Sequence, residues 1–150
     1  MIQIPTRIVG ALVLACCTAC STVSHLEGIP PGTTLSIKGI TATELPRTED
    51  LRSKSVGNYE FVATAPDGQK LYGLLPLNVN GGTMAASILF FAPALFIGGF
   101  RDTFPFYQVD VDKQELRFKS IDTEAWRTYK PTAAESQRAK EVLEAPAGQR

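Results

Sequence analysis

The alternation of apolar and polar positions divides this chain unevenly. In residues 34–40, Leu35 and Ile37 fall on one face and Ser36 and Lys38 on the other, the period-two pattern of a half-buried strand. Residues 59–65 and 69–75 alternate again on either side of Pro66-Asp67-Gly68, a tripeptide suited to a tight turn, which predicts a hairpin. Residues 104–111 and 114–121 predict a second hairpin turning at Asp112-Lys113, with Leu116 and Phe118 opposite Arg117 and Lys119. The period then changes. Thr132-Ala133-Ala134-Glu135 has the spacing of a capping box, Pro131 precedes it, and Pro146 ends the helix it starts. Ala139, Val142 and Leu143 give that helix a thin apolar stripe, enough to dock on a sheet. Two stretches lack either period. Residues 20–33, polar and ending in Ile29-Pro30-Pro31-Gly32, predict a stiff tether, and residues 41–57, with Pro46 and several charges, predict a loop.

Between Lys70 and Arg101 no residue is charged. Residues 84–100 (MAASILFFAPALFIGGF) are apolar all round a helix, which places such a helix in a protein core or in lipid. As one helix they reach about 25 Å, short of the roughly 30 Å hydrocarbon layer, and Pro93 would kink or split it. Three arrangements fit: a buried central helix, a hairpin broken at Pro93 that dips into a membrane, or a full span. The membrane contacts of the second would be Ile88, Leu89, Phe90, Phe91, Leu95, Phe96 and Ile97. A span would separate the two predicted hairpins, so they could not share a sheet. The expected fold is α+β: one domain over 34–145 containing 84–100, with a small antiparallel sheet of hairpins, the apolar central helix or helical hairpin, a C-terminal amphipathic helix, and a tail at 146–150.

All three cysteines lie in LACCTACSTV, residues 14–23. Before them come Arg7 and the apolar run 8–15, too short to span a bilayer, then small residues: the layout of a secretory signal. With its lipidation-type box, this stretch resembles a bacterial lipoprotein precursor of the signal peptidase II type. The resemblance implies removal of residues 1–19 and acylation of Cys20, which has Ala19 at −1 and Thr18 at −2. Cys17, with Leu14 and Ala15 before it, and Cys16, with Val13 and Ala15, remain alternatives. It also implies an envelope location, with Ser21 after the cysteine favouring the outer membrane over the inner and the domain facing the periplasm. A redox reading of Cys17-Thr18-Ala19-Cys20 lacks the strand-to-helix setting that lowers a thiol pKa.

Residues 31–37 (PGTTLSI), and Gly98-Gly99-Phe100-Arg101-Asp102 before Tyr107-Gln108-Val109-Asp110-Val111, resemble small lipoproteins with PEGA-like β-modules. The glycine turn of such modules between the early strands is replaced here by Leu45-Pro46-Arg47-Thr48. The resemblance implies a binding or scaffolding unit.

Charge adds exclusions. Fifteen basic residues balance fifteen acidic ones, so there is no electrostatic footprint for nucleic acid. Asp110, Asp112 and Glu115 begin like a calcium loop, but Glu115 stands where the sixth-position glycine belongs. The one histidine, His25, cannot complete a four-ligand site with cysteines that are mostly cut away. No G-x-S-x-G, P-loop or H-E-x-x-H pattern occurs. No cofactor, metal or catalytic residue is therefore assigned. The expected role is structural or protein-interaction work at a membrane surface, partnered by lipid through acyl chains and by an envelope protein. The second reading is a glycan- or lipid-binding module using Tyr107, Trp126 and Tyr129 as its face; the third is a small carboxylate-based hydrolase.

Overall fold

A computed structural model describes residues 21–79 and 99–145. These residues form β1 (Ser21–Ile29), β2 (Thr34–Ile37), β3 (Ile40–Glu44), β4 (Arg47–Arg52), β5 (Glu60–Thr64), β6 (Lys70–Leu74), β7 (Leu77–Val79), β8 (Arg101–Thr103), β9 (Phe106–Asp110), β10 (Glu115–Lys119), β11 (Arg127–Tyr129) and α1 (Ala133–Glu144). The fold is mostly β, with one C-terminal helix among the described residues, consistent with α+β. Cys16, Cys17, Cys20 and the membrane-contact candidates Ile88, Leu89, Phe90, Phe91, Leu95, Phe96 and Ile97 lie outside the described residues, and so do residues 84–98 of the predicted central helix. Among the described residues no helix is long and apolar enough to cross a membrane.

Both predicted hairpins form, but in different sheets. β5 and β6 pair antiparallel with Val62 opposite Tyr72, and β9 and β10 with Tyr107 opposite Phe118. The first belongs to a four-stranded sheet ordered β3-β2-β5-β6, the second to a five-stranded sheet ordered β11-β10-β9-β1-β4. β7 and β8 make a separate two-stranded ribbon. Inward side chains of both large sheets join one core: Leu35, Ile37, Phe61 and Leu71 from one, Leu26, Leu51, Tyr107, Val109 and Leu116 from the other. The result is two sheets sharing an apolar interior, in place of the single small sheet expected.

The tether reading of residues 21–33 is overturned. Residues 21–29 are β1, held antiparallel to β4 on one side and parallel to β9 on the other. The strand is hard to see in sequence because its inward positions are small or polar. Ser24 is fully buried and its hydroxyl lies 3.0 Å from Thr103 Oγ1 and 2.9 Å from the Phe104 carbonyl. Gly28 faces Thr33 and Leu45 so closely that a Cβ would stand 2.9 Å from Thr33 Cβ. Only Leu26 is a large apolar residue pointing in. The loop reading of 41–57 fails for a related reason. β3 and β4 are edge strands, and edges are kept polar to discourage further pairing; in β4 only Leu51 is buried.

The helix starts as expected. Thr132 Oγ1 accepts from the Glu135 N–H at 3.3 Å, and Glu135 accepts from the Thr132 N–H at 2.8 Å. α1 lies on the outer face of β5 and β6 with Ala139 buried, Arg138 3.6 Å from the Glu60 carboxylate, and Ser136 Oγ donating to the Tyr72 carbonyl at 2.9 Å. Gly28→Ala discriminates a strand from a tether. In the strand the added methyl collides with Thr33 and should cost about 1–3 kcal/mol, read as a lower urea midpoint at unchanged m-value; a tether would tolerate it without effect.

Candidate functional site

The face suggested by Tyr107, Trp126 and Tyr129 does not assemble. Tyr107 is fully buried; its hydroxyl donates to the Pro76 carbonyl at 2.6 Å and accepts from the Phe104 N–H at 2.9 Å. Burial pushes its phenol well above the ordinary tyrosine range. Tyr107 is therefore a core residue, a correction that follows from alternation: it shares the inward face of β9 with Val109. Tyr129 is half-buried on β11, its hydroxyl enclosed without a well-formed hydrogen bond. Burial, with the Glu135 carboxylate nearby, pushes its phenol up as well.

Trp126 is half-buried, and a cation of the protein already covers its ring. Lys119 Nζ stands 4.7 Å from the Trp126 ring centroid and 5.1 Å from that of Phe106, and donates to the carbonyl and the carboxylate of Asp122, each at 2.7 Å. His25 stacks on the other side of this group, 5.3 Å from Phe106, with Nδ1 3.1 Å from Thr48 Oγ1. The Arg127 guanidinium sits 4.8 Å from Phe104 and 4.9 Å from Phe118. Desolvated ammonium–ring contacts of this kind contribute about 1–2 kcal/mol, so the cluster reads as sheet stabilisation. A sugar stacking on that face of Trp126 would have to displace Lys119.

Concavity lies instead on the opposite sheet. α1 covers β5 and β6 but leaves β2 and the β2–β3 turn open, and a groove of about 570 Å³ remains. Val62, Ile40, Val142 and Leu143 line it with apolar surface, and Lys38 and Lys70 stand among its lining residues. Tyr72 Oη donates to Glu144 Oε1 at 2.5 Å, and Lys70 Nζ is 4.0 Å from the same oxygen. Burial first, then the Glu144 hydrogen bond and charge, push the Tyr72 phenol up to about 12.

A third feature is the end of the molecule where β1 begins. Ser21 pairs with Arg52, and two residues further along that chain Lys54 exchanges both backbone hydrogen bonds with Arg101, at 2.9 and 3.1 Å. Val79 pairs with Arg101, and Gly99, with φ of 67°, packs so tightly that a Cβ would lie 2.7 Å from the Ser53 backbone. Ser21, Val79 and Gly99 thus lie together on one pole of the described residues. Arg101 donates to the Gly57 carbonyl at 3.0 Å and to Asn58 Oδ1 at 2.9 Å, while Lys54 donates to the Asn58 carbonyl at 3.0 Å with its ammonium 4.0 Å from the Tyr59 ring. These bonds clamp the loop that carries Val56. Burial and the neighbouring Lys38 and Arg101 charges, outweighing Glu60, lower the Lys54 pKa from 10.5.

Asp110 and Asp112, from the calcium-loop-like run, have different surroundings. Asp112 is exposed, but Asp110 is buried and accepts from the Lys113 N–H and ammonium, both at 3.0 Å. Burial opposes its ionisation, yet those bonds and the Arg117 charge hold its carboxyl below the ordinary 3.8. Among the described residues no three His, Cys, Asp or Glu side chains gather closely enough to hold a metal. No protein-family model, curated protein or solved structure matches the chain.

The groove makes a titration prediction. An unfolded tyrosine ionises near 10, so between 10 and about 12 the folded state keeps a proton on Tyr72 that the unfolded chain has lost. This contribution to stability is complete below 10 and disappears as pH rises through about 12. Glu144→Gln should bring the Tyr72 ionisation back toward 10, measured as the absorbance difference at 295 nm between that variant and its Tyr72→Phe counterpart.

Proposed function

We propose that this chain is a lipid-anchored protein of the bacterial cell envelope, held by an acylated Cys20 in the outer membrane, whose two-sheet domain faces the periplasm and works there as a non-catalytic interaction module. The observation that carries the reading is that Ser21, the residue after Cys20, is already paired with Arg52 in the five-stranded sheet. A strand held against β4 at Ser21 and joined by β9 from His25 onward is what a mature domain needs directly behind a processing site, and the lipoprotein-type layout of residues 8–20 supplies that site. Cleavage before Cys20 leaves every described strand intact. The reading is tested on protein purified from the envelope of a bacterial host. The intact mass should equal residues 20–150 plus diacylglycerol and an amide-linked acyl chain, and Cys20→Ala should stay uncleaved and lose the added mass. A mature chain that begins elsewhere without lipid rejects the reading, and one that begins at Cys16 or Cys17 with lipid moves the anchor.

The groove favours a second reading, an envelope module that binds an apolar ligand bearing an anionic group. Its volume of about 570 Å³ lies within the roughly 300–1,000 Å³ of small-molecule sites, and Lys38 and Lys70 supply cations among its lining. A fluorescent fatty acid should then bind saturably, and Val142→Glu, which places a like charge in the groove, should abolish it. Equal binding by both proteins rules this site out.

A further inference from the structure

We propose that the pole where β1 begins is itself a membrane contact, laid against the bilayer interface by the neighbouring acyl anchor; this rests on the reading of Cys20 as the acylated residue. The described residues expose four large aliphatic side chains: Val23 at 54%, Val56 at 77%, Val79 at 53% and Ile121 at 60%. Their distribution is one-sided. Val56 rides the loop clamped by Arg101 and Lys54. Val79 pairs with Arg101. Val23 is two residues into β1 and points outward. Ile121 follows Lys119 by two residues, and Lys119, Phe106 and His25 lie on one cross-strand row, so the chain past Lys119 runs toward the same end as Ser21. Scattered single apolar residues on a protein surface need no explanation, but their gathering at one end marks an interaction surface.

Lipid is the occupant because of what else meets there. With Ser21 already paired to Arg52 in the sheet, an anchor on Cys20 has no slack, and the domain cannot turn this end away from the bilayer by more than one residue allows. The polar groups suit an interface too. Arg52 is exposed beside Ser21, and Arg101 and Lys54 add two more cations. Carboxylates are also present: Asp102 accepts from Ser53 Oγ at 2.5 Å, Asp122 binds Lys119, and Asp50 is exposed opposite Val23. The charge is therefore mixed, and apolar insertion of Val56, Val79 and Ile121, with cationic side chains at headgroup depth, is the expected mode.

The test uses the acylated full-length protein in vesicles of phosphatidylethanolamine and phosphatidylglycerol with brominated acyl chains. Once residues 1–19 are removed and Cys20 is acylated, a cysteine placed at Val56→Cys or Asp112→Cys is the one free thiol for a fluorophore. Asp112 is exposed in the β9–β10 turn at the far end of the five-stranded sheet and serves as the distal reference. Quenching should be several-fold stronger at position 56 than at 112, and Val79→Asp with Ile121→Asp should weaken it while the acyl mass stays unchanged. Acylated protein with equal or absent quenching at both positions overturns the membrane contact and leaves the lipoprotein reading standing. A label at 56 that lipid does not quench, yet that iodide cannot reach in detergent, assigns the pole to a protein or a second copy and also overturns it. Protein without acyl mass overturns both.

Discussion

The pairing of β1 with β9 holds the five-stranded sheet together. β1 is the seam between β4 and the β9–β10–β11 meander, antiparallel to the first and parallel to the second. Without it β4 has no neighbour in that sheet, and the meander loses the strand that brings Leu26 into its core. The parallel register, His25 with Phe106 through Ile29 with Asp110, joins segments about eighty residues apart. Contacts of such separation form late and slow folding, because loop closure is unfavourable before they add any stability. The seam is reinforced by the buried Ser24 hydroxyl between Thr103 and Phe104 and by the Val111 N–H donating to the Ile29 carbonyl at 2.9 Å. Both lie off the ladder and fix where it starts and stops.

The same small residues that make β1 a good seam leave a constraint on everything packed against it. Gly28 lets Thr33 and Leu45 approach the strand, and Thr33 is fully buried with its hydroxyl donating to the Pro30 carbonyl at 2.6 Å. The turn after β1 is thereby tied to the core, and it delivers the chain to β2 in the other sheet. Sheet-to-sheet passage is short and internally bonded, which is why the two sheets share one interior.

How much of this was legible in the sequence depends on whether the signal was local. Both hairpins and the α1 cap are local: alternation, turn residues and a three-residue spacing suffice, and all three form where expected. β1, β3 and β4 were not legible because their identity is set by position in the sheet. A central strand with Ser24 and Gly28 facing in has no apolar alternation, and edge strands such as β4 are charged for the sake of being edges. Tyr107 was misplaced because an aromatic residue next to other aromatics reads as a face until the β9 register puts it beside Val109 on the inward side. The pole was illegible for a stronger reason. Ser21, Val56, Val79 and Gly99 come together only through β1–β4, β7–β8 and the Lys54–Arg101 bridge, none of which local periodicity predicts.

In the proposed arrangement the lack of slack behind Cys20 also limits which surfaces a partner can use. A tether of a dozen residues would let the domain sample a shell tens of ångströms deep and present any face. With Ser21 in β1 directly after an acylated Cys20, the proposed anchor would keep the β1 pole at the bilayer and turn the opposite end of the sheet, with the β9–β10 turn, outward. The lateral faces differ in what they have left to offer. On the five-stranded sheet Lys119 already covers the Phe106 and Trp126 rings, so a partner there would have to break those contacts before gaining its own. On the four-stranded sheet the groove beside α1 is open and partly apolar. The least costly docking on an orientationally fixed domain is onto surface that needs no prior disruption, so under that proposal a partner would meet the α1 side.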